Sequence, residues 1–260
     1  MRNRINSSIL MIVVVLALSP VILAQTPSGP GSGAVGSSPD LSGVWMAGGG
    51  NTRSFYLQEP PSLAPWAAEI FKANREGVED PLESGADELD PSIYCLPDGF
   101  PRVYLVNYPF EIIQVPGRVY MLFENSHMVR RIFMDGRKMP EGYPPSFMGY
   151  STGRWEEDTL VVETVGLNDL SWMDRVGTPH SDALRIVERI RRVDHDTLEI
   201  DFLFDDPKAF TKTLEGKRVF QLHPEWEIME HNGFCEDRQR YDYARKSLLG
   251  TKGWIIPGEY

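Results

Sequence analysis

Basic residues are scarce in this 260-residue chain, which has 26 lysines and arginines against 37 aspartates and glutamates. The formal net charge is −11 at pH 7. It becomes −13 if residues 1–24, which hold two arginines and no acidic residue, are removed. This acidic surplus disfavours a surface that binds phosphates or an anionic membrane, so the composition predicts no nucleic-acid partner.

Metal-binding and nucleotide-binding motifs are also missing. The five histidines form no H-x-H, H-E-x-x-H or Cys/His cluster, so the sequence predicts no metal site. No G-x-G-x-x-G or phosphate loop lies on a strand-to-helix turn, so we expect no cofactor. Hydrophobic residues nevertheless make up 42% of the chain and aromatics 11%, which is enough for one sizeable core.

Only one long apolar run is present, at residues 9–24. It follows the basic residues Arg2 and Arg4 and ends at Ala24, a small residue suited to signal-peptidase cleavage. The run has 16 residues and contains Pro20, whereas a membrane-spanning helix needs about 20 apolar residues. The pattern therefore predicts secretion or export to the periplasm, with no stable membrane insertion after cleavage.

The remaining chain divides by composition. Residues 1–24 are predicted to be a signal peptide, residues 25–39 a flexible Gly/Ser/Pro linker, and residues 40–260 a single domain. The two cysteines, Cys95 and Cys235, favour one disulfide bond because an even count in an exported chain is typical of paired cysteines. Two buried free thiols are the alternative.

Short hydrophobic segments bounded by turn residues dominate the second half of the chain. Residues 110–115 and 118–124 flank a Pro-Gly pair, which is a hairpin signal. One helix is predicted at residues 65–74. Further strands are predicted at 127–134, 154–156, 159–165, 183–193, 197–204, 209–213 and 217–222, and the last two are predicted to form a hairpin around Glu215-Gly216. The fold class predicted is mainly β: a single antiparallel barrel with an N-terminal helical or irregular insertion.

Strand alternation places charged residues inside this barrel. Glu188 shares strand parity with Ile186 and Ile190, so it is predicted to point inward. Arg130 and Arg131 are adjacent in a strand, so one of them must also point inward. An unpaired buried charge costs several kcal/mol. The acid and the base are therefore expected either to form an ion pair without chemical consequence or to line a wet pocket.

The long segment at residues 166–182 is the predicted binding loop, because connections of this length are usually lids or binding loops. Its His180 precedes the strand that holds Glu188, and a histidine near carboxylates suits general acid–base catalysis. The alternative is that His180 caps a turn. The predicted catalytic residues are His180, Glu188 and Asp174, with Asp174 orienting His180, and the predicted substrate-binding residues are Arg130, Arg131, Trp172 and Tyr150.

A G-x-S-x-G pattern at residues 149–153 matches that of serine hydrolases. Such a nucleophile elbow needs a buried strand before it and a helix after it. Here a Tyr-Pro-Pro segment precedes the pattern and a β-hairpin follows it, so the context disfavours a nucleophilic serine.

Several motifs together resemble a family of exported, largely uncharacterised proteins from environmental bacteria. They are LSGVW at residues 41–45, CLPDGFPR at 95–102, GRWEEDTLVVET at 153–164 and PHS at 179–181. The resemblance covers residues 40–237. The opening G-x-W and the hairpin order are also similar to calycins, the lipocalin-like barrels, so the resemblance implies a calycin-like barrel.

The chain departs from that family at Met139 and Tyr150, where the family tends to have histidines. His180, Asp174 and Glu188 match the common pattern. The resemblance therefore implies no role that needs three histidines, and it supplies no activity, because a fold does not fix a function.

Three functions follow as hypotheses. The first is an exported enzyme that performs cofactor-independent acid–base chemistry, as a lyase, isomerase or hydrolase, on a small and mostly apolar substrate held in the barrel. The second is a non-catalytic, lipocalin-like carrier of a small hydrophobic ligand. The third is an envelope structural or interaction protein. Paired ionisable residues in one cavity would favour the first, and a solid interior would favour the third.

Overall fold

A computed structural model describes residues 39–49, 53–55, 61–79, 90–94 and 96–229. All of them belong to one compact unit, Ser37–Tyr260. The predicted signal peptide at residues 1–24, almost all of the linker at 25–39, Cys95 and Cys235 lie outside the described residues. The disulfide therefore stays a prediction.

The described residues form a closed barrel of nine strands, which confirms the predicted mainly-β fold. The strands are β1 Gly43–Ala47, β2 Phe110–Val115, β3 Arg118–Phe123, β4 Val129–Phe133, β5 Tyr150–Glu156, β6 Thr159–Val165, β7 Arg185–Arg192, β8 Thr197–Asp205 and β9 Leu214–Leu222. They are neighbours in chain order, and β1 pairs with both β2 and β9 to close the wall. Closure pairs the sheet edges that an open sheet would expose.

Helical segments lie between β1 and β2, where an insertion was predicted. The predicted helix is confirmed as α1, Pro65–Glu79. Its buried face holds Ala67 and Phe71, whereas Trp66 and Ile70 are more than two-fifths exposed. Short 3-10 helices at Pro91–Tyr94 and Arg102–Tyr104 also lie there, and a third, Asn125–His127, connects β3 to β4.

One strand pairing differs from the expected antiparallel order. β4 and β5 are parallel, with Ile132 opposite Ser151 and Phe133 opposite Thr152. The other eight pairings of the described barrel are antiparallel. The connection at residues 134–149 exceeds a dozen residues, which is long enough to return the chain to the end where β4 began.

The prediction of a hairpin around Gly216 was wrong. β9 runs without a turn through this glycine, and residues 209–213 do not form a strand. A Cβ atom on Gly216 would lie 2.7 Å from Cβ of Phe55. The glycine therefore permits a close approach inside the core and does not mark a turn.

Aromatic side chains fill the barrel around Tyr104. This residue comes from the 3-10 helix Arg102–Tyr104 and is 1% exposed. Its ring centroid lies 5.5 to 5.8 Å from the rings of Phe100, Phe110, Phe123, Phe202 and Phe220. The rings meet at angles between 51° and 72°, which suit edge-to-face contacts. Tyr104 thus joins the inward faces of β2, β3, β8 and β9 into one packed core.

Candidate functional site

A buried ion pair crosses the barrel interior. Arg130 on β4 and Glu188 on β7 both point inward, as strand parity predicted, and they are 1% and 0% exposed. Nη1 of Arg130 donates to Oε1 of Glu188 at 2.9 Å, and Nη2 donates to Oε2. The neighbouring Arg131 is exposed on the outer face. The inward base is therefore Arg130, and its fork binds the carboxylate through two bonds.

Polar side chains form hydrogen bonds with the remaining donors and acceptors of the Arg130–Glu188 ion pair. Nε of Arg130 donates to Oγ of Ser151 at 3.1 Å, and Nη2 donates to Oγ1 of Thr164 at 2.8 Å. The Tyr104 hydroxyl accepts from Nη1 at 3.1 Å and donates to Oε1 of Glu188 at 3.2 Å. Ser151, the serine of the G-x-S-x-G pattern, is thus a buried member of β5 that binds the guanidinium.

Burial and neighbouring groups together set the protonation of Arg130 and Tyr104. Desolvation lowers the pKa of Arg130, but the Glu188 carboxylate and Tyr104 outweigh it and raise that pKa above its usual value. Burial, reinforced by the charge of Glu188, raises the pKa of Tyr104 well above its usual value. Arg130 therefore stays a cation and Tyr104 stays neutral near pH 7. The Phe100 ring, 4.0 Å from Cζ of Arg130, covers the guanidinium.

Asp174 does not orient His180 as predicted. Its Oδ1 accepts from the backbone N–H groups of Val176 and Thr178, each at 3.0 Å, and its Oδ2 accepts from the Thr178 hydroxyl at 2.7 Å. Burial raises the pKa of Asp174, although these hydrogen bonds oppose the shift. Asp174 therefore stabilises the turn at residues 174–178 and does not contact His180 through a hydrogen bond.

His180 is also separate from the ion pair. Its Nδ1 lies 3.1 Å from the carbonyl oxygen of Ser181, and its side chain is almost fully buried. Among the described residues no hydrogen bond joins it to Glu188. Burial lowers the pKa of His180, while the Ser181 carbonyl and the Asp206 carboxylate oppose that shift. The structure thus does not bring the three predicted catalytic residues together.

Trp172 packs against a second charged cluster. It belongs to the loop at residues 166–182, is buried, and has its ring centroid 5.6 Å from Cζ of Arg102. Arg102 donates to the two carboxylate oxygens of Asp90 at 2.9 and 2.8 Å, and its Nε lies 2.9 Å from Oδ1 of Asp98. These contacts hold the 3-10 helix that inserts Tyr104 into the barrel.

Tyr150, the remaining predicted substrate-binding residue, lies in a different aromatic cluster. It stacks on Phe133 with a centroid distance of 5.0 Å and meets Tyr143 edge-on at 5.1 Å. It is nearly buried at the start of β5. The predicted substrate-binding residues thus occupy four different environments and do not form one pocket.

A groove of about 600 Å³ opens at one rim of the barrel. We call it the rim groove. It lies where β2 begins, β3 ends and the chain leaves β9. Its apolar lining residues are Met46, Tyr108, Pro109, Trp226 and Met229, and its polar ones are Asn107, Glu124, Glu225 and Glu227. Trp226 is 42% exposed and Met229 is 68% exposed. Exposed aromatic and apolar side chains grouped in a concave site are typical of binding surfaces.

A second groove of about 530 Å³ lies beside the β2–β3 hairpin and includes Arg118, Arg154 and Trp155. Both arginines already have partners: Cζ of Arg118 lies 5.4 Å from the Phe133 ring, and Arg154 forms an ion pair with Glu156 at 2.5 Å. Their engagement makes this groove the weaker candidate.

Apart from Glu188 and Arg130, the sequence pattern did not identify the residues of the buried cluster and the rim groove as site residues. Thr164 could have been found, because it shares strand parity with buried Leu160 and Val162. Tyr104 lies in a segment without periodicity, and Glu124 and Trp226 lie beyond strand ends. No spacing in the sequence links these three positions to the residues they contact.

In the part of the chain that the structure describes, no group of three or more His, Cys, Asp or Glu side chains could hold a metal ion. None of the helices described there is long and apolar enough to cross a membrane. Comparison with protein-family models and with curated proteins finds no match to this chain. The family resemblance at residues 40–237 therefore stays a prediction.

Because burial lowers the pKa of His180 in the folded state, acid should destabilise the fold through this residue. The unfolded chain, with a histidine pKa near 6.5, binds the proton more readily below that pH. The stabilising contribution of neutral His180 is complete above pH 6.5 and is lost as the pH falls toward the lowered value. The slope cannot exceed about 1.4 kcal/mol per pH unit.

Urea unfolding of the wild type and of His180→Asn between pH 8 and pH 5 measures this contribution. The difference between the two stabilities should be constant above about pH 7.5 and should shrink with acid below 6.5. A difference that is flat throughout, or that grows with acid, would exclude a buried neutral imidazole.

Proposed function

We propose that this protein is an exported, non-catalytic binding protein that holds a small, partly apolar molecule in the rim groove. In this proposal the barrel is a rigid scaffold, and the ligand site lies at its rim and not in its interior. The basic and then apolar character of residues 1–24 supports export. The observation that carries the binding role is the contrast between a sealed interior and an open groove.

The sealed interior argues for a scaffold, which is also what the third hypothesis, a structural or interaction protein, requires; the groove at the rim is what favours a binding role. Glu188, Arg130 and Tyr104 are at most 1% exposed, and each has its polar atoms bound within the cluster. Because Glu188 is fully buried, a substrate could reach it only if the side chains packed around it moved. Acid–base catalysis inside the barrel therefore stays a prediction that requires the barrel to open.

The open groove argues for binding. A volume of about 600 Å³ lies within the range of small-molecule sites in proteins. Trp226 and Met229 expose apolar surface there, although such surface is usually buried. A ligand with an apolar body would remove this surface from water, which contributes about 25 cal/mol of binding free energy per Å² buried.

Isothermal titration calorimetry with 3-phenylpropan-1-ol, a neutral probe with an apolar body, tests the proposal. We expect binding to the wild type and a loss of at least about tenfold in affinity for Trp226→Ala, because aromatic side chains dominate binding energies. Trp66→Ala is the matched control, since Trp66 on α1 is exposed to the same degree and does not line the groove. Absence of binding to the wild type, or equal losses in the two variants, would refute the proposal.

A further inference from the structure

Carboxylates dominate the polar lining of the rim groove. Its described lining residues include Glu124, Glu225 and Glu227 but no lysine, arginine or histidine. The chain as a whole is acidic, with a net charge of −11. A concave site lined by charges of one sign concentrates ligands of the opposite sign. The charge of the groove therefore favours a cation.

Glu124 is the best placed of the three carboxylates. It follows β3 at the rim, and only 8% of its surface is exposed. Its Oε2 accepts a hydrogen bond from the backbone N–H of Met229 at 3.2 Å, which holds the side chain in one position. A charged group that is held and largely shielded from bulk water interacts more strongly with a counter-charge than an exposed one does.

Trp226 supplies an aromatic wall next to these carboxylates. Its ring stacks on the imidazole of His223 at a centroid distance of 3.8 Å and an interplanar angle of 15°. The stacking fixes the plane of the indole, while 42% of the residue remains exposed. Tryptophan is the aromatic side chain that attracts ammonium groups most strongly, particularly where water is excluded.

Two methionines complete the apolar part of the groove. Met46 on β1 and Met229, which follows β9, both line the groove. Methionine side chains are flexible and polarisable, so they adapt to apolar groups of different shape. The groove thus combines an anionic anchor, an aromatic ring and adaptable apolar walls.

We propose that the rim groove selects an organic cation, namely an amine or quaternary ammonium group attached to an apolar body. The ammonium group pairs with Glu124 and lies against the ring of Trp226, and the apolar body packs on Met46 and Met229. This inference rests on the proposed binding function and names the chemical class of its ligand.

The test is calorimetry of the full chain with three probes that share one phenylpropyl body. These are 3-phenylpropylamine, which is cationic at pH 7, the neutral 3-phenylpropan-1-ol and the anionic 3-phenylpropanoate. We expect the amine to bind at least about tenfold more tightly than the alcohol, and the anion to bind more weakly than the alcohol. Equal affinities for amine and alcohol would overturn the inference while leaving the proposed function intact. Absence of binding by all three probes would overturn both.

Glu124→Gln isolates the anchor, because its amide oxygen can still accept from the Met229 N–H. The amine should lose about tenfold in affinity, while the alcohol should be unaffected. Glu141→Gln is the control: it changes the net charge equally at an exposed position outside the groove. An equal loss in the two variants would assign the preference to net charge and overturn the role of Glu124.

Trp226→Leu provides an independent readout if Glu124→Gln does not fold. Leucine keeps an apolar wall but removes the ring, so the affinity for the amine should fall more than the affinity for the alcohol. A smaller or equal loss for the amine would contradict the aromatic contact.

Discussion

Replacement of Glu188 by glutamine is expected to lower the free energy of unfolding by about 3–5 kcal/mol, because it leaves the buried Arg130 guanidinium without a counter-charge. Glutamine has nearly the same shape as glutamate, so the loss reports charge and not packing. Urea or thermal unfolding at pH 7 measures the effect. Glu163→Gln is the matched control, because Glu163 forms an exposed ion pair with Arg185 at 2.7 Å. That change should cost about 0–1 kcal/mol.

The double variant Arg130→Met/Glu188→Leu tests whether the unpaired charge, and not the loss of the ion pair, causes the destabilisation. Removing both charges avoids an unpaired one, so the double variant should be more stable than Arg130→Met alone. The catalytic hypothesis predicts the opposite pattern for Glu188→Gln: turnover is abolished and the thermal midpoint is unchanged or higher. Stability loss with intact ligand binding would identify Glu188 as a structural residue.

Tyr104→Ala is the second change with a large expected effect. The ring contacts five phenylalanines at 5.5 to 5.8 Å, and the hydroxyl bridges Arg130 and Glu188. Truncation of a large buried aromatic side chain costs about 3–5 kcal/mol, and the cavity it leaves accounts for part of that cost. We therefore expect the unfolding free energy to fall by at least this amount.

Tyr104→Phe separates the ring from the hydroxyl. It keeps the aromatic packing and removes one hydrogen-bonding group of the buried network, so a cost of about 1–3 kcal/mol is expected. If the alanine variant were no less stable than the phenylalanine variant, the ring would not be part of a packed core. An accessible interior cavity would then have to be considered.

Strand parity was the most informative feature of the sequence. It correctly placed Glu188 inside with Ile186 and Ile190, and it required one of the adjacent arginines to face the same interior. A strand alternates its faces with a period of two, so local sequence alone determines which side chains point together. The identity of the inward arginine, Arg130, depended on the register with β3 and β5 and could not be read from the strand itself.

Turn signals were less reliable where glycine serves packing. Gly216 next to a glutamate suggested a hairpin, but the glycine makes room for Phe55 inside a continuous β9. Helical spacing likewise predicted α1 but not its buried face. Ala67 and Phe71 are buried, because the helix packs beside the loops that hold Gly177 and Lys208 and this position selects the face.

The candidate sites depended on contacts between residues far apart in the chain. Tyr104 reaches Glu188 across 84 positions, and Glu124 reaches Met229 across 105. Periodicity describes neighbours within one element, so it carries no information about such pairs. The predicted grouping of His180, Asp174 and Glu188 failed for this reason: closeness along the chain was used in place of closeness in space.

The proposed function places the ligand at the rim and not inside the barrel. Backbone amide chemical shifts of the ¹⁵N-labelled protein, followed during titration with 3-phenylpropylamine, test it most directly. With the ligand in the rim groove, the largest changes should occur at residues 107, 108, 124 and 225–229, while Tyr104 and Glu188 change little. Large changes at Tyr104, Glu188 and the other inward residues, without changes at the rim residues, would refute binding in the groove. They would show that the ligand binds inside the barrel.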